Sequence, residues 1–303
     1  MKWQKKGLIY CPGAEIDWAK DSALTPTPIL INDDTIRVYA GFRDELGISR
    51  IGFLDLDANN PSTIKYISKK PALSIGSPGE FDDNGMILGD VIKYNNQFYM
   101  YYIGFQIVQK VKFLAFTGLA LSKDGINFSR YINTPIMDRG NNERYIKAIH
   151  SVLIEKNLWR IWYASGNGWE QIDGTPFPKY NIWYTESKDG INFDNKKILC
   201  IDLQGDEYRI GRPRVYKFRD KFIMLYTAGT TKGDYLPGYA ESKDGMHWIR
   251  KDYEIGIELS KHGWDSRALC YPSLLSYKDK IYMFYNGNDM GKDGFGYAIL
   301  EEW

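Results

Sequence analysis

Pro272-SLLSYKDKIYMF-Tyr285 is two apolar runs joined by the polar pair Lys278-Asp279. Aromatic and branched residues on both sides of a short polar pair make a β-hairpin. The same interval, 13 positions from an anchoring residue to a closing tyrosine, occurs four more times. The segments are Pro26-TPILINDDTIRV-Tyr39, Gly89-DVIKYNNQFYMY-Tyr102, His150-SVLIEKNLWRIW-Tyr163 and Pro213-RVYKFRDKFIML-Tyr226. A glycine follows each tyrosine within three residues: Gly41, Gly104, Gly166, Gly229 and Gly287. The closing tyrosines succeed one another at 63, 61, 63 and 59 positions, so five units of about 60 residues account for the 303-residue chain.

Each unit carries a third apolar run: Ile51-GFLDL, Thr117-GLALS, Ile182-WYTES, Pro237-GYAES and Phe295-GYAIL. Three of these pass into Ser-Lys-Asp-Gly turns (122–125, 187–190 and 242–245), followed by Phe128, Phe193 and Trp248. Asp-Gly suits a tight turn, and the aromatic suits the space between neighbouring sheets. A fourth run follows, as in Ile249-RKDYEIGI. Four antiparallel strands per unit, repeated radially with no long helical period, predict an all-β, five-bladed β-propeller forming one domain over residues 1–303. The fifth unit reaches Trp303 without a fourth strand, and Trp3-QKKGLIYCP matches Trp248-IRKDYEIGI. Residues 1–10 are therefore expected to close the ring from the N-terminus, leaving no exposed sheet edge.

Composition narrows the function. The chain is 44% hydrophobic, 25% charged and 15% aromatic with formal net charge +1, which gives no global field for nucleic acid or an anionic membrane. No run approaches a membrane span, and no secretory leader is legible. Cys11, Cys200 and Cys270 are odd in number and far apart, which fits a reducing cytoplasm and gives no zinc spacing. No metal or cofactor is expected.

In a propeller the innermost strands line a central channel, and a ligand sits at its mouth. Superposed by the 13-residue interval, the positions just after the anchors are Thr27, Asp90, Ser151, Arg214 and Ser273. Those just before are Thr25, Leu88, Ile149, Arg212 and Tyr271. Six and seven positions upstream lie Asp82-Asp83, Glu143-Arg144, Asp206-Glu207 and Asp265-Ser266. Asp90, Glu207, Asp83 and Asp82 are the carboxylates placed to act as general acid and base at this mouth, with Asp265 beside them. The repeated pairs Phe81-Asp82 and Trp264-Asp265 also read as scaffold. Arg144, Lys147 and His150 approach the third inner strand, Arg209, Arg212 and Arg214 the fourth, and Arg267 the fifth. Strand alternation points Arg212 and Arg214 the same way. Such arginines suit a carboxylate or phosphate ligand, or the carboxylates of the mouth itself. Trp169 and Tyr180, in the long third-unit connection, are placed to stack on a sugar ring.

The five hairpins and the Ser-Lys-Asp-Gly-x-x-aromatic turns resemble the five-bladed propeller glycosidases, glycoside hydrolase families 43, 32 and 130, over nearly the whole chain. Gly89-Asp90-Val91 resembles the Pro-Asp-Val of family 43, which implies that Asp90 orients and tunes a general acid; a capping role is the other use of such an aspartate. Arg43-Asp44 resembles the Tyr-Arg substrate segment of family 130. Thr25 stands where family 43 has its base aspartate. Gly211-Arg212-Pro213-Arg214 is the counterpart of the family 130 Glu-Asp-Pro-Arg, with arginine in place of the aspartate.

The resemblance implies a carbohydrate-active, glycosidase-like enzyme acting on a small or anionic glycan. Arg43, Asp44, Arg144, His150, Trp169, Arg212, Arg214, Asp265, Arg267 and Tyr271 are its substrate-binding candidates. A phosphorylase or transferase using phosphate or a nucleotide sugar, and a non-catalytic sugar-binding propeller, are the alternatives.

Overall fold

The computed structural model describes residues 1–13 and 15–303. Twenty strands carry the fold, and its two helical pieces are single 3-10 turns. After β1 (Lys2–Tyr10) the strands come in groups. The first is β2 (Asp21–Asn32), β3 (Thr35–Arg43), β4 (Ser49–Asp57) and β5 (Ile64–Ile67). The second is β6 (Met86–Tyr94), β7 (Gln97–Gln106), β8 (Leu114–Ser122) and β9 (Ser129–Arg130). The third is β10 (Ile146–Glu155), β11 (Leu158–Ile172), β12 (Thr175–Ser187) and β13 (Ile198–Ile201). The fourth is β14 (Glu207–Phe218), β15 (Lys221–Thr230), β16 (Tyr235–Ser242) and β17 (Ile249–Arg250). The fifth is β18 (Cys270–Tyr277), β19 (Lys280–Asn286) and β20 (Phe295–Glu302).

All five 13-residue intervals fold as antiparallel hairpins: β2–β3, β6–β7, β10–β11, β14–β15 and β18–β19. Asn95-Asn96 and Lys156-Asn157 have positive φ at both turn positions, the requirement of a type I′ hairpin turn. The sheet layout differs from five separate sheets. β2–β5 form one four-stranded sheet and β1-β20-β19-β18 another, but the middle three groups share a single mixed sheet of twelve strands. Its joints are short parallel pairings: Ile146 and Lys147 with Ala115 and Phe116, and Tyr180 with Arg209.

Packing is organised between groups. Separate apolar clusters join group one to two (Tyr39, Phe53, Leu88, Met100), two to three (Tyr101, Leu119, Trp159, Ile161), three to four (Trp162, Tyr184, Val215, Met224) and four to five (Leu225, Tyr239, Leu274, Tyr285). A further cluster joins five back to one through Val38, Phe42, Phe284 and Tyr297. The Ser-Lys-Asp-Gly turns fasten the same seams. Tyr39 donates to the Gly125 carbonyl at 2.5 Å, Tyr101 to that of Gly190 at 2.9 Å, and Trp162 to that of Gly245 at 2.8 Å. Within each turn the aspartate accepts backbone N–H bonds two and three positions on; these outweigh burial and hold Asp189 down at about 2. β1 pairs antiparallel with β20, Trp3 opposite Leu300. The buried Trp3 indole donates to the Ile255 carbonyl at 2.8 Å.

Candidate functional site

The five inner strands share one irregularity. In each, the register slips at the anchor: between Leu24 and Thr27, Leu88 and Asp90, Ile149 and Ser151, Gly211 and Arg214, and Cys270 and Ser273. A β-bulge re-aims side chains and stops pairing. Where the anchor is proline, the preceding residue takes a left-handed backbone: Thr25 at φ 55°, Arg212 at 57° and Tyr271 at 56°. This is an unfavourable region for side-chain-bearing residues, at about 1–3 kcal/mol each, so the surroundings must fix it. Thr25 N–H donates to Asn286 Oδ1 at 2.8 Å, and Tyr271 N–H to Thr227 Oγ1 at 2.8 Å.

Just beyond the bulges lies a hydrogen-bonded centre of one carboxylate and two arginines. Asp90, 3% exposed, accepts from Val91 N–H and from Val152 N–H, each at 2.8 Å, and pairs with Arg214 at 2.5 Å. Arg214 also donates to the His150 carbonyl at 2.9 Å, and Ser151 Oγ accepts from Val215 N–H at 2.9 Å. These bonds tie each inner strand to the next. Arg212, 2% exposed, spreads its guanidinium over four acceptors: the Leu88 carbonyl, the Gly89 carbonyl at 2.7 Å, the Thr25 carbonyl at 3.1 Å and Thr27 Oγ1 at 2.7 Å. Burial, then the Arg214 charge, push Arg212 below its ordinary range against the pull of Asp90. Its Nη1 lies 3.4 Å from His150 Nδ1, and burial followed by the two arginine charges keeps that imidazole neutral, well below the usual histidine range.

Above this centre opens a cavity of about 410 Å³, within the small-molecule range of roughly 300–1,000 Å³. On one side stand Arg43, His150, Arg209, Arg212, Tyr235 and Tyr271; Lys112 joins from the β7–β8 loop. Among the described residues, no carboxylate lines the cavity. Arg209 lies over the Tyr235 ring at 4.3 Å and the Tyr208 ring at 4.9 Å, and its buried Nε has no hydrogen-bond partner. An added Cβ at Gly229 would stand 2.7 Å from that Nε, so the glycine after the fourth closing tyrosine makes room for this side chain. Burial works against the Arg209 charge, but the surrounding tyrosines hold its pKa above the ordinary value. Lys112 Nζ sits 4.0 Å over the Phe177 ring. Tyr235 donates to the Tyr271 hydroxyl at 3.0 Å. No ion pair within 4.0 Å involves Arg43, Lys112 or Arg209 among the described residues.

The other sequence candidates lie elsewhere. Asp82 is fully buried against Arg130 at 2.6 Å, and Asp83 accepts from Gly79 N–H at 2.8 Å and from Asn84. Glu207 is held by Arg250 through two bonds, 2.9 and 2.6 Å, and lines a separate surface groove. Asp265 receives Lys5 at 2.7 Å and the closing Tyr285 hydroxyl at 3.0 Å. Asp44 caps its own turn and pairs with Arg50 at 2.7 Å. Arg144, exposed, donates to Asn167 at 2.6 Å, Trp169 packs on Tyr145, and Arg267 pairs on the surface with Asp289 at 2.8 Å. The expectation of two carboxylates facing one cavity with the arginines is not met, because each has a scaffold cation or backbone donor of its own. Arg214 points below the cavity rather than into it: the bulge between Gly211 and Arg214 breaks the alternation that would have aligned it with Arg212. Of the residues put forward from the sequence, Arg43, His150, Tyr180, Arg209, Arg212 and Tyr271 meet here. Lys112 and Tyr235 come from outer hairpin tips and had no repeat signal.

No family model matches the sequence. The uncharacterized protein Rv1502 of Mycobacterium tuberculosis is 30% identical over 302 residues, covering 99% of this chain and 100% of its own. This chain belongs to the Rv1502 family. A β-1,2-mannobiose phosphorylase of a Thermoanaerobacter species is 30% identical over 109 residues, 33% of this chain and 36% of that one. Among solved structures, a thermostable family-43 glycoside hydrolase matches with TM-score 0.70 and 19% identity, over 96% of this chain and 91% of that one. A structure from the GH130 family of mannoside phosphorylases and hydrolases matches with TM-score 0.69 and 14% identity, over 98% and 93%. The Rv1502-family chain thus has the all-β fold of the propeller glycosidases.

Proposed function

We propose that this Rv1502-family chain is a carbohydrate-active protein, a single five-bladed propeller over residues 1–303, that takes a small anionic saccharide in the central cavity. The blade count is supported by five strand groups and five inter-group apolar clusters, the last returning to the first, with β1 closing the ring on β20. The observation that carries the ligand is the cluster of Arg43, Lys112, Arg209 and Arg212 around a cavity without a carboxylate. Cations without counter-ions around one cavity, Arg212 buried and Arg43 and Arg209 half-buried, favour an anion that supplies the missing charge. The chemistry that suits this lining is glycosyl transfer to or from a phosphate group. In transfer from a glycosyl phosphate the acceptor oxygen bonds to C1 as the C1–O bond to phosphate breaks; fixed cations carry the charge that develops on the departing phosphate, and that phosphate takes up the proton of the acceptor hydroxyl. The partial likeness to a mannobiose phosphorylase supports the same reading. Free cysteines (exposed Cys11, half-buried Cys200 and buried Cys270) favour a reducing, cytoplasmic setting.

The test incubates the protein with aryl glycosides, with and without inorganic phosphate, and titrates glycosyl 1-phosphates by calorimetry. Phosphate-dependent turnover, or glycosyl phosphate binding that Arg209→Met abolishes, is the expected result. Phosphate-independent hydrolysis that survives Arg209→Met overturns the proposal.

A further inference from the structure

The second and third strand groups give the cavity a lining of a different kind. Ile87, Ile103, Phe105, Phe113, Ala115 and Ile146 line it and offer no polar side-chain atom. Behind them lies a packed apolar cluster in which Ile103, Ala115 and Ile146 are buried, and against which Ile87, Phe105 and Phe113 are half-buried. Phe105 and Phe113 meet edge to face at 5.0 Å, which fixes both rings. Ile107, 68% exposed, extends this lining in the β7–β8 loop, and Met290, 37% exposed, lines the same cavity from the fifth group.

Sugar hydroxyls set against such a wall would lose their hydrogen bonds to water and gain none. Aromatic faces accept the C–H side of a sugar, but a wall led by isoleucines suits flexible hydrocarbon. The cations still call for an anion, and both lie within one space of about 410 Å³. We infer that the ligand is amphipathic: an anionic saccharide covalently joined to an apolar hydrocarbon group, with the charge on the Arg209 side and the hydrocarbon on the Ile87–Phe105 side. The inference rests on the proposed reading of the cavity as a saccharide-anion site. The hydrocarbon is carried either as an ester on the phosphate or as an acyl group on the sugar, and the two carriers present the same chemistry to the wall.

The full-length protein is titrated with inorganic phosphate, methyl phosphate, hexyl phosphate and hexanol, and with glucose 1-phosphate and its 6-O-hexanoyl ester. Each fully buried methylene is worth about fourfold in affinity. Hexyl phosphate, partly buried, is expected to bind at least about 30-fold more tightly than methyl phosphate. In Ile87→Ser that ratio falls below about fivefold; Phe105→Ser, at a half-buried position, is the second variant if the first does not fold. A gain for hexyl phosphate alone places the hydrocarbon on the phosphate, and a gain for the hexanoyl ester alone places it on the sugar; each supports the inference. Equal binding of methyl and hexyl phosphate, together with no gain from the hexanoyl group, overturns it and leaves the anion site standing. Hexanol binding as tightly as hexyl phosphate also overturns it, because the charge would then be irrelevant. If none of the anions binds, the site reading itself falls and the inference with it.

Discussion

Arg214 and Arg209 lie five residues apart on β14 and have opposite surroundings. Arg214 is 7% exposed, paired with Asp90 at 2.5 Å and bonded to the His150 carbonyl. Arg209 has tyrosine rings around it and no paired carboxylate; Nε is buried without a hydrogen-bond partner in both arginines, so the carboxylate is what separates them. A buried charge that is paired and hydrogen-bonded is complete within the protein. A charge left open in a cavity is complete only with a ligand. On the proposed reading, the contrast gives the carboxylates to the scaffold and the cations to the site.

The sharpest way to break the comparison is Asp90→Asn. The amide keeps the shape but leaves Arg214 buried without its counter-charge. Removal of one partner from a buried pair costs about 3–5 kcal/mol. The expected result is a large fall in denaturant midpoint with an unchanged m-value. Unaltered stability together with lost turnover would instead return Asp90 to the chemistry. Next in size is Glu207→Gln. It weakens two bonds to Arg250, which keeps Asp252 at 2.7 Å. A hydrogen bond to a charged group is worth about 1.5–3 kcal/mol, so the expected stability loss lies near that, with phosphate binding unchanged. A change in phosphate affinity would link the Glu207 groove to the cavity.

Arg209→Met reads the other half of the contrast. No ion pair is lost, so stability is expected to stay within about 1 kcal/mol of the parent while glycosyl phosphate affinity falls about 10- to 100-fold, the effect of losing a charged hydrogen bond. Calorimetry and thermal melts on the same samples check both. A large stability loss with intact affinity would make Arg209 scaffold like Arg214.

The legibility of the chain follows the same division. The hairpins, the Ser-Lys-Asp-Gly turns and the pairing of residues 1–10 with β20 rest on short-range spacing that repeats, so the sequence carried them. Arg212, His150 and Tyr271 were found because the hairpin register superposes the bulged positions. The upstream carboxylates were superposed by the same register but serve another purpose. Asp265 accepts from its closing Tyr285, and Glu143 from its closing Tyr163 at 2.8 Å, so in the third and fifth units the repeated acid clamps the closing tyrosine, whereas Tyr226 of the fourth donates to Asp252. The fusion of three groups into one sheet was not legible, because it depends on a few parallel pairs between distant strands. Lys112 and Tyr235 were not legible either, since hairpin tips have no fixed relation to the repeat.

His150 gives the smallest effect and tests the boundary between the two regions. It is 6% exposed, touches Arg212, and accepts Arg214 on its carbonyl. Burial and the two arginine charges hold its folded pKa well below 6.5. In the unfolded chain the imidazole takes a proton near pH 6.5, whereas in the folded chain it stays neutral. The unfolded state therefore binds more protons below that pH, and stability falls as pH falls. Above about pH 7.5 the contribution is fully present; at pH 5.5 about 1.4 kcal/mol of it has gone. Melting curves at the two pH values are expected to show that loss in the parent and not in His150→Asn. An equal pH response in both would mean that the imidazole takes up its proton in the folded state, so that some anionic group nearby neutralises it. The centre would then not be closed to the cavity above it, and the line between scaffold and site would have to be drawn below His150.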